Sequence, residues 1–146
     1  MKIMILNGPN INFLGIREKE VYGHQNYADM CNYLKDIAES KGISLDIFQS
    51  NIEGEMINIL QRAYFEKYDG IIINPGAYTH TSIALFDAIK SIEIPTLEVH
   101  LSNIYKREDF RKVSCTAAAC IGQISGLGVD SYVVGLEYFC RMFSEK

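Results

Sequence analysis

The stretch "GIIIN" (70–74) constrains the fold more than any other part of the chain. Three consecutive isoleucines leave no polar face, so a strand made from them must be covered on both sides, as in the centre of a parallel sheet. Parallel strands cannot be joined by hairpins; each pair needs a crossover of about a dozen residues or more, usually a helix. The flanking sequence supplies such crossovers. "KIMILN" (2–7) is a short apolar run ending in turn residues and reads as a first strand. After a long loop, Tyr27, Met30, Cys31, Leu34, Ile37 and Ala38 recur at helical spacing, with Gly42 as the stop signal. "ISLDIFQ" (43–49) follows as a strand, and Met56, Ile59, Leu60, Ala63 and Tyr64 predict a helix over 53–68.

Beyond the isoleucine run, "PGAYTHTS" reads as a loop, Ile83 to Ile92 as a helix and "PTLEVH" (95–100) as a fourth strand. Residues 101–114 are polar and irregular, with a helical turn expected near Glu108. "TAAACIGQIS" (116–125) is ambiguous alone and takes a fifth strand from its place in the alternation; Tyr132, Val133, Leu136, Phe139, Cys140 and Phe143 mark a final amphipathic helix. This βαβαβαβαβα string predicts an α/β three-layer sandwich of flavodoxin-like type, a five-stranded parallel sheet in the order 2-1-3-4-5. Ligands of such sheets bind beyond the carboxyl ends of the strands. The unusual polar residues fall there: Asn7 to Tyr22 after the first strand, Asn74 to Thr81 after the third, His100 to Arg111 after the fourth.

A length of 146 residues suits one domain spanning 1–146. A net charge of −4 with no basic stripe argues against a nucleic-acid partner. No apolar run approaches the roughly 18 residues of a membrane span, and the apolar run after Lys2 is too short for a secretory signal. Cys31, Cys115, Cys120 and Cys140 lack CxxC spacing and read as reduced thiols of a cytoplasmic protein. His24, His80 and His100 show no ligand spacing, so no metal is expected.

The familiar ligands of this fold fit poorly. A flavin phosphate loop wants Ser and Thr after the first strand, where this chain has none, and a receiver domain wants carboxylates where Asn7 and Asn74 stand. "GLGVDS" (126–131) approaches G-x-G-x-x-G, but the chain ends too soon for a following ribose-binding acid; a tight turn opening a helix is the simpler reading. His100 ends a strand two residues after Glu98, which places both side chains on one face and lets the carboxylate fix the imidazole for proton transfer. His80 is either a ligand contact or part of a helix cap that Thr79, Thr81 or Ser82 would serve better. Asn74 ends the most buried strand and needs partners, while Gly76 permits close approach of a ligand. Asp87 is a surface charge or a site residue. Arg107 and Arg111 face one side if the turn is helical, either toward a ligand or in ion pairs with Glu108 and Asp109. In the first loop, Arg17 lies near Tyr22. A free tyrosine titrates near ~10, and a neighbouring guanidinium favours the phenolate, so this pair could make a base when the loop closes.

Together, "NGPNINFLGIREKEVYG", "NPGAYTHTSIALFDAI", "EVHLSNIYKREDFR" and "GLGVDSY" resemble type II 3-dehydroquinate dehydratase of the shikimate pathway, in order over nearly the whole chain. The resemblance implies loss of water from 3-dehydroquinate to give 3-dehydroshikimate, without metal, cofactor or Schiff base. It implies Tyr22 as the base at carbon 2, Arg17 as the group that keeps Tyr22 ionised, Asn10 as holder of a water that stabilises the enolate, and His100 as the acid for the departing hydroxyl. It assigns Asn74, the backbone at Leu101 and Ser102, and the Ser102 hydroxyl to the substrate carboxylate, and His80 and Arg111 to ring hydroxyls. Asp87 would enter from a neighbouring subunit of a trimer, four trimers building a homododecamer. Two departures stand out: Ser131 where the family's last block usually has glycine, and Phe86 where relatives are often basic or small.

Overall fold

A computed structural model describes residues 1–16 and 25–144. The described residues hold five strands: β1 (Lys2–Asn7), β2 (Ser44–Gln49), β3 (Gly70–Asn74), β4 (Thr96–His100) and β5 (Gly122–Ser125). All pair in parallel, in the order β2-β1-β3-β4-β5. The helices are α1 (Tyr27–Ser40), α2 (Glu53–Phe65), α3 (Ile83–Ile92) and α4 (Asp130–Ser144). The predicted flavodoxin-like order and the alternation are both realised.

Every residue of β3 is buried, as its composition requires. Alternate residues of the central strands feed two separate cores. Ile3, Ile5, Ile72, Leu97 and Val99 pack against Met30 and Leu34 of α1 and Leu136 and Phe139 of α4. Met4, Leu6, Ile71 and Ile73 pack against Met56 and Leu60 of α2 and Leu85 and Ile89 of α3. Full burial of side chains of this size stabilises by about 1.5–3 kcal/mol each before entropy is charged. Helix starts follow their capping chemistry: the Asn26 side chain accepts from Asp29 N at 2.8 Å, and Ser82 Oγ accepts from Leu85 N at 2.9 Å. Ser82, not His80, thus caps α3.

Three local expectations need correction. Helix α2 ends at Phe65 instead of residue 68, because Lys67 turns into the left-handed region with φ 56°. The polar stretch near Glu108 is not one helical turn but two short 3-10 turns, Ile104–Lys106 and Asp109–Arg111. The fifth strand is only four residues long, and Ala117–Ala119 forms a 3-10 turn before it. Side-chain chemistry explains the last difference: Ala117 N donates to Ser114 Oγ at 3.0 Å, and Thr116 turns its hydroxyl to Glu98, so this segment folds over β4 before pairing begins. Among the described residues, no helix is long and apolar enough to cross a membrane.

Candidate active site

Strands β1 and β3 end in register, Asn7 opposite Asn74, at the point where the strand order reverses. The loops that leave them are pressed together. Gly8 N donates to Asn74 O at 2.7 Å, and a Cβ on Gly8 would lie 2.4 Å from Pro75 O, which only glycine avoids. Asn10 adopts a left-handed conformation, φ 68°, with its N–H on Asn51 Oδ1 at 3.0 Å. The Gln49 amide at the end of β2 donates to both Gly8 O and Asn51 Oδ1 and so ties the first loop to the second. A cleft of about 220 Å³ opens above, lined by Pro9, Asn10, Ile11, Phe13 and Leu14 from the first loop, Asn74, Gly76, Ala77 and His80 from the third, and His100, Leu101, Ser102, Ile104, Arg107 and Arg111 after β4.

At the cleft floor, His100 is 5% exposed and Glu98 is fully buried. His100 Nε2 lies 3.0 Å from Glu98 Oε2. A carboxylate only accepts, so Nε2 carries the proton and Nδ1 is left for exchange. Glu98 also accepts from Thr79 Oγ1 at 2.9 Å, Ser114 Oγ at 2.9 Å, Gln123 Nε2 at 2.5 Å and the Thr116 hydroxyl. Burial pushes this carboxyl up, but hydrogen bonds and charge from His100, with those from Thr116 and Gln123, outweigh it and hold the pKa at about 2 instead of 4.5. Glu98 is therefore ionised inside the protein. A depressed carboxyl pKa stabilises the fold above the ordinary value and loses that contribution as pH falls toward the folded one. Glu98 should thus contribute roughly 3 kcal/mol above about pH 4.5 that disappears as pH approaches 2. Urea unfolding across that window should show the loss, and a Glu98→Gln protein should lack this share of it.

The cleft walls carry donors of other kinds. His80 Nδ1 lies 2.7 Å from the carbonyl of Val113, which fixes the proton on Nδ1 and leaves Nε2 able to accept. Arg107 Nη1 reaches Ser102 Oγ at 3.5 Å, and Arg111 Nε pairs with Glu108 Oε2 at 2.7 Å while its side chain still lines the cleft. Ion pairing and site lining, alternatives in the sequence, coexist for Arg111. Ser131 turns out to close the last loop: its hydroxyl donates to His100 O at 3.1 Å and accepts from Leu127 N at 3.3 Å.

The structure thus brings Asn10, Asn74, His80, His100, Leu101, Ser102 and Arg111 to one cleft. Asp87 does not join them: it is exposed on α3 and outside the cleft of its own chain. Arg17 and Tyr22 lie outside the described residues. The sequence left Arg107 open between a ligand-facing role and ion pairing, and the structure places it on the cleft wall. Sequence reasoning missed the Thr79, Ser114, Thr116 and Gln123 shell around Glu98. Only its hydroxyl-rich segment hinted at it, since nothing in sequence says that residues 79, 114 and 123 meet. Among the described residues, no three His, Cys, Asp or Glu side chains cluster as a metal site would require.

Comparison with known proteins agrees with this arrangement. The family described as dehydroquinase class II matches residues 1–140. The 3-dehydroquinate dehydratase of Clostridium perfringens strain ATCC 13124 is 62% identical over 136 residues, covering 93% of this chain and 94% of that protein. That of Clostridium acetobutylicum strain ATCC 824 is 61% identical over 145 residues, covering 99% and 100%. The crystal structure of type II dehydroquinase from Butyrivibrio crossotus DSM 2876 superposes with a TM-score of 0.93 at 49% identity, covering 94% of this chain and 96% of that one. With the family matched along nearly its whole length and the sheet order and cleft in place, this chain belongs to the class II dehydroquinases.

Proposed function

We propose that this chain acts as one catalytic domain over residues 1–146 and removes water from 3-dehydroquinate to give 3-dehydroshikimate. The observation that carries the reading is the ionised, buried Glu98 holding His100 in a cleft shared with Asn74, His80 and Arg111. The reaction takes a proton from carbon 2, beside the ketone, and expels the hydroxyl from carbon 1. Tyr22, as phenolate, accepts the carbon 2 proton, and the electron pair moves onto the ketone oxygen as an enolate. Arg17 keeps Tyr22 ionised, and Asn10 holds a water that donates to the enolate oxygen. As the enolate collapses, the double bond forms between carbons 1 and 2 and the carbon–oxygen bond breaks. His100 delivers a proton from Nδ1 to the leaving oxygen, so that water departs, anti to the proton removed. An enolate met by a base, an acid and hydrogen-bond donors needs no metal or cofactor.

For binding, Asn74, the Leu101 and Ser102 backbone and the Ser102 hydroxyl take the substrate carboxylate, while His80 and Arg111 take ring hydroxyls. Asp87, remote from its own cleft, fits a role across a subunit boundary, in a trimer-based homododecamer; a monomer in sedimentation at working concentrations would contradict that part. Four free cysteines suit a cytoplasmic setting. The test of the activity is direct. Purified protein given 3-dehydroquinate should produce the ultraviolet absorbance of a conjugated enone without added cofactor, and borohydride should not inactivate it. Absence of turnover, or borohydride inactivation in the presence of substrate, would overturn the reading.

A further inference from the structure

The side chain of Asn74 is 1% exposed and sits where β3 opens into the cleft. An amide can present either an acceptor or a donor to a ligand, and the two choices favour opposite charges. Neighbouring groups settle the choice, starting from a backbone N–H that can only donate. Gly76 N lies 3.2 Å from one amide atom of Asn74, which must therefore be Oδ1. Gly76 is held in that position by a left-handed φ of 59°, and a Cβ there would meet Pro9 O at 3.0 Å. The other amide atom is then Nδ2, and it donates to the phenol oxygen of Tyr132 at 2.9 Å.

Tyr132 comes from the first turn of α4 and is fully buried. Its oxygen accepts from Asn74, so its own proton must go elsewhere, and Asn7 Oδ1 receives it at 2.6 Å. That bond in turn leaves Asn7 Nδ2 to donate toward Tyr27 OH at 3.4 Å. Asn7 is fully buried beside Asn74 in the register of β1 and β3, and Tyr132 spans the two. Burial pushes the Tyr132 phenol well above its ordinary range, so it stays protonated and the direction of the chain does not reverse at working pH. Each hydrogen in the sequence Asn74 to Tyr132 to Asn7 therefore has one direction, set at one end by Gly76.

We infer that Tyr132, which the catalytic scheme does not use, is a positioning residue that locks the amide of Asn74 in the donor sense toward the cleft. With Oδ1 turned to Gly76 N and one Nδ2 hydrogen on Tyr132, the second Nδ2 hydrogen is the donor that Asn74 has left to offer. In a cleft that Ser102 also lines, this donor favours an anionic oxygen. This rests on the proposed contact between Asn74 and the substrate carboxylate. That carboxylate does not react, so losing its alignment should weaken ground state and transition state alike and appear in KM and not in kcat.

Tyr132→Phe keeps the buried ring and deletes only the hydroxyl. KM for 3-dehydroquinate should rise about 10- to 100-fold, the range for a hydrogen bond to a charged group, while kcat changes less than about threefold. In an Asn74→Ala background the same substitution should change KM less than about twofold, because its effect is transmitted through Asn74. A purely structural role would lower Tm and the active fraction but leave the KM of the folded enzyme alone. An unchanged KM in folded Tyr132→Phe, or a full KM effect that persists beside Asn74→Ala, would overturn the inference. If Tyr132→Phe does not fold, Asn7→Ala removes the acceptor that orients the Tyr132 proton and should raise KM severalfold with the same dependence on Asn74; an unchanged KM there overturns it equally. The unsubstituted protein runs in the same assay: if it fails to turn over, the proposed activity falls, whereas an active parent with an indifferent Tyr132→Phe removes only the positioning role.

Discussion

Substituting His100 by Ala should lower kcat on 3-dehydroquinate about 10³-fold with KM changed less than about fivefold, read from the rate of enone absorbance. General acid catalysis by a positioned side chain is worth about 10²–10⁴-fold, and hydroxide is too poor a leaving group to depart unaided from an enolate. In the proposed scheme the substrate carboxylate and ring hydroxyls are held by other residues, so removing His100 costs little binding. The companion Glu98→Gln should retain the shape of the site but lower kcat about 10- to 100-fold. A neutral amide no longer balances the imidazolium, and its NH₂ group meets the hydroxyls of Thr79, Ser114 and Thr116, which now donate to the carboxylate. Circular dichroism must find both variants folded. A His100→Ala enzyme within tenfold of its parent would remove His100 from the acid role.

How much of this was legible in the sequence varies with the kind of interaction. The order of strands could be read because "GIIIN" is apolar on both faces and the alternation leaves few ways to wind a parallel sheet. The pairing of Glu98 with His100 could be read because residues two apart on a strand share a face, and the structure finds them 3.0 Å apart. The rest of the Glu98 shell could not. Thr79, Ser114, Thr116 and Gln123 come from three separate segments, and no periodicity relates them. The shortness of β5 was hidden for the same reason: "TAAACIGQIS" is a plausible strand until Thr116 and Ser114 are drawn to a carboxylate on β4. Arg107 and Arg111 reach one cleft although the single helical turn expected to align them is absent. Asp87 stood open between a surface charge and a site residue, and only motif likeness favoured the second; the fold of one chain leaves it on the surface of α3.

Tyr22→Phe has the largest expected effect of any single change, because in the proposed mechanism it deletes the atom that accepts the carbon 2 proton. A phenyl ring cannot accept it, and Arg17 is a cation with no lone pair to offer in its place. The proton stays, no enolate forms, and His100 has no departing hydroxyl to protonate. A loss of about 10⁴-fold in kcat is the upper end of what a general base supplies. Binding should survive, since the proposed scheme assigns the carboxylate and ring-hydroxyl contacts to Asn74, Ser102, His80 and Arg111, all of which line the cleft. The decisive measurement is therefore made on one folded variant: kcat of Tyr22→Phe on 3-dehydroquinate, together with the Kd of that substrate by calorimetry. A loss of about 10⁴-fold in kcat with Kd within threefold of the parent's KM supports a tyrosine base opposite a histidine acid. A Tyr22→Phe enzyme that turns over within tenfold of its parent would contradict it.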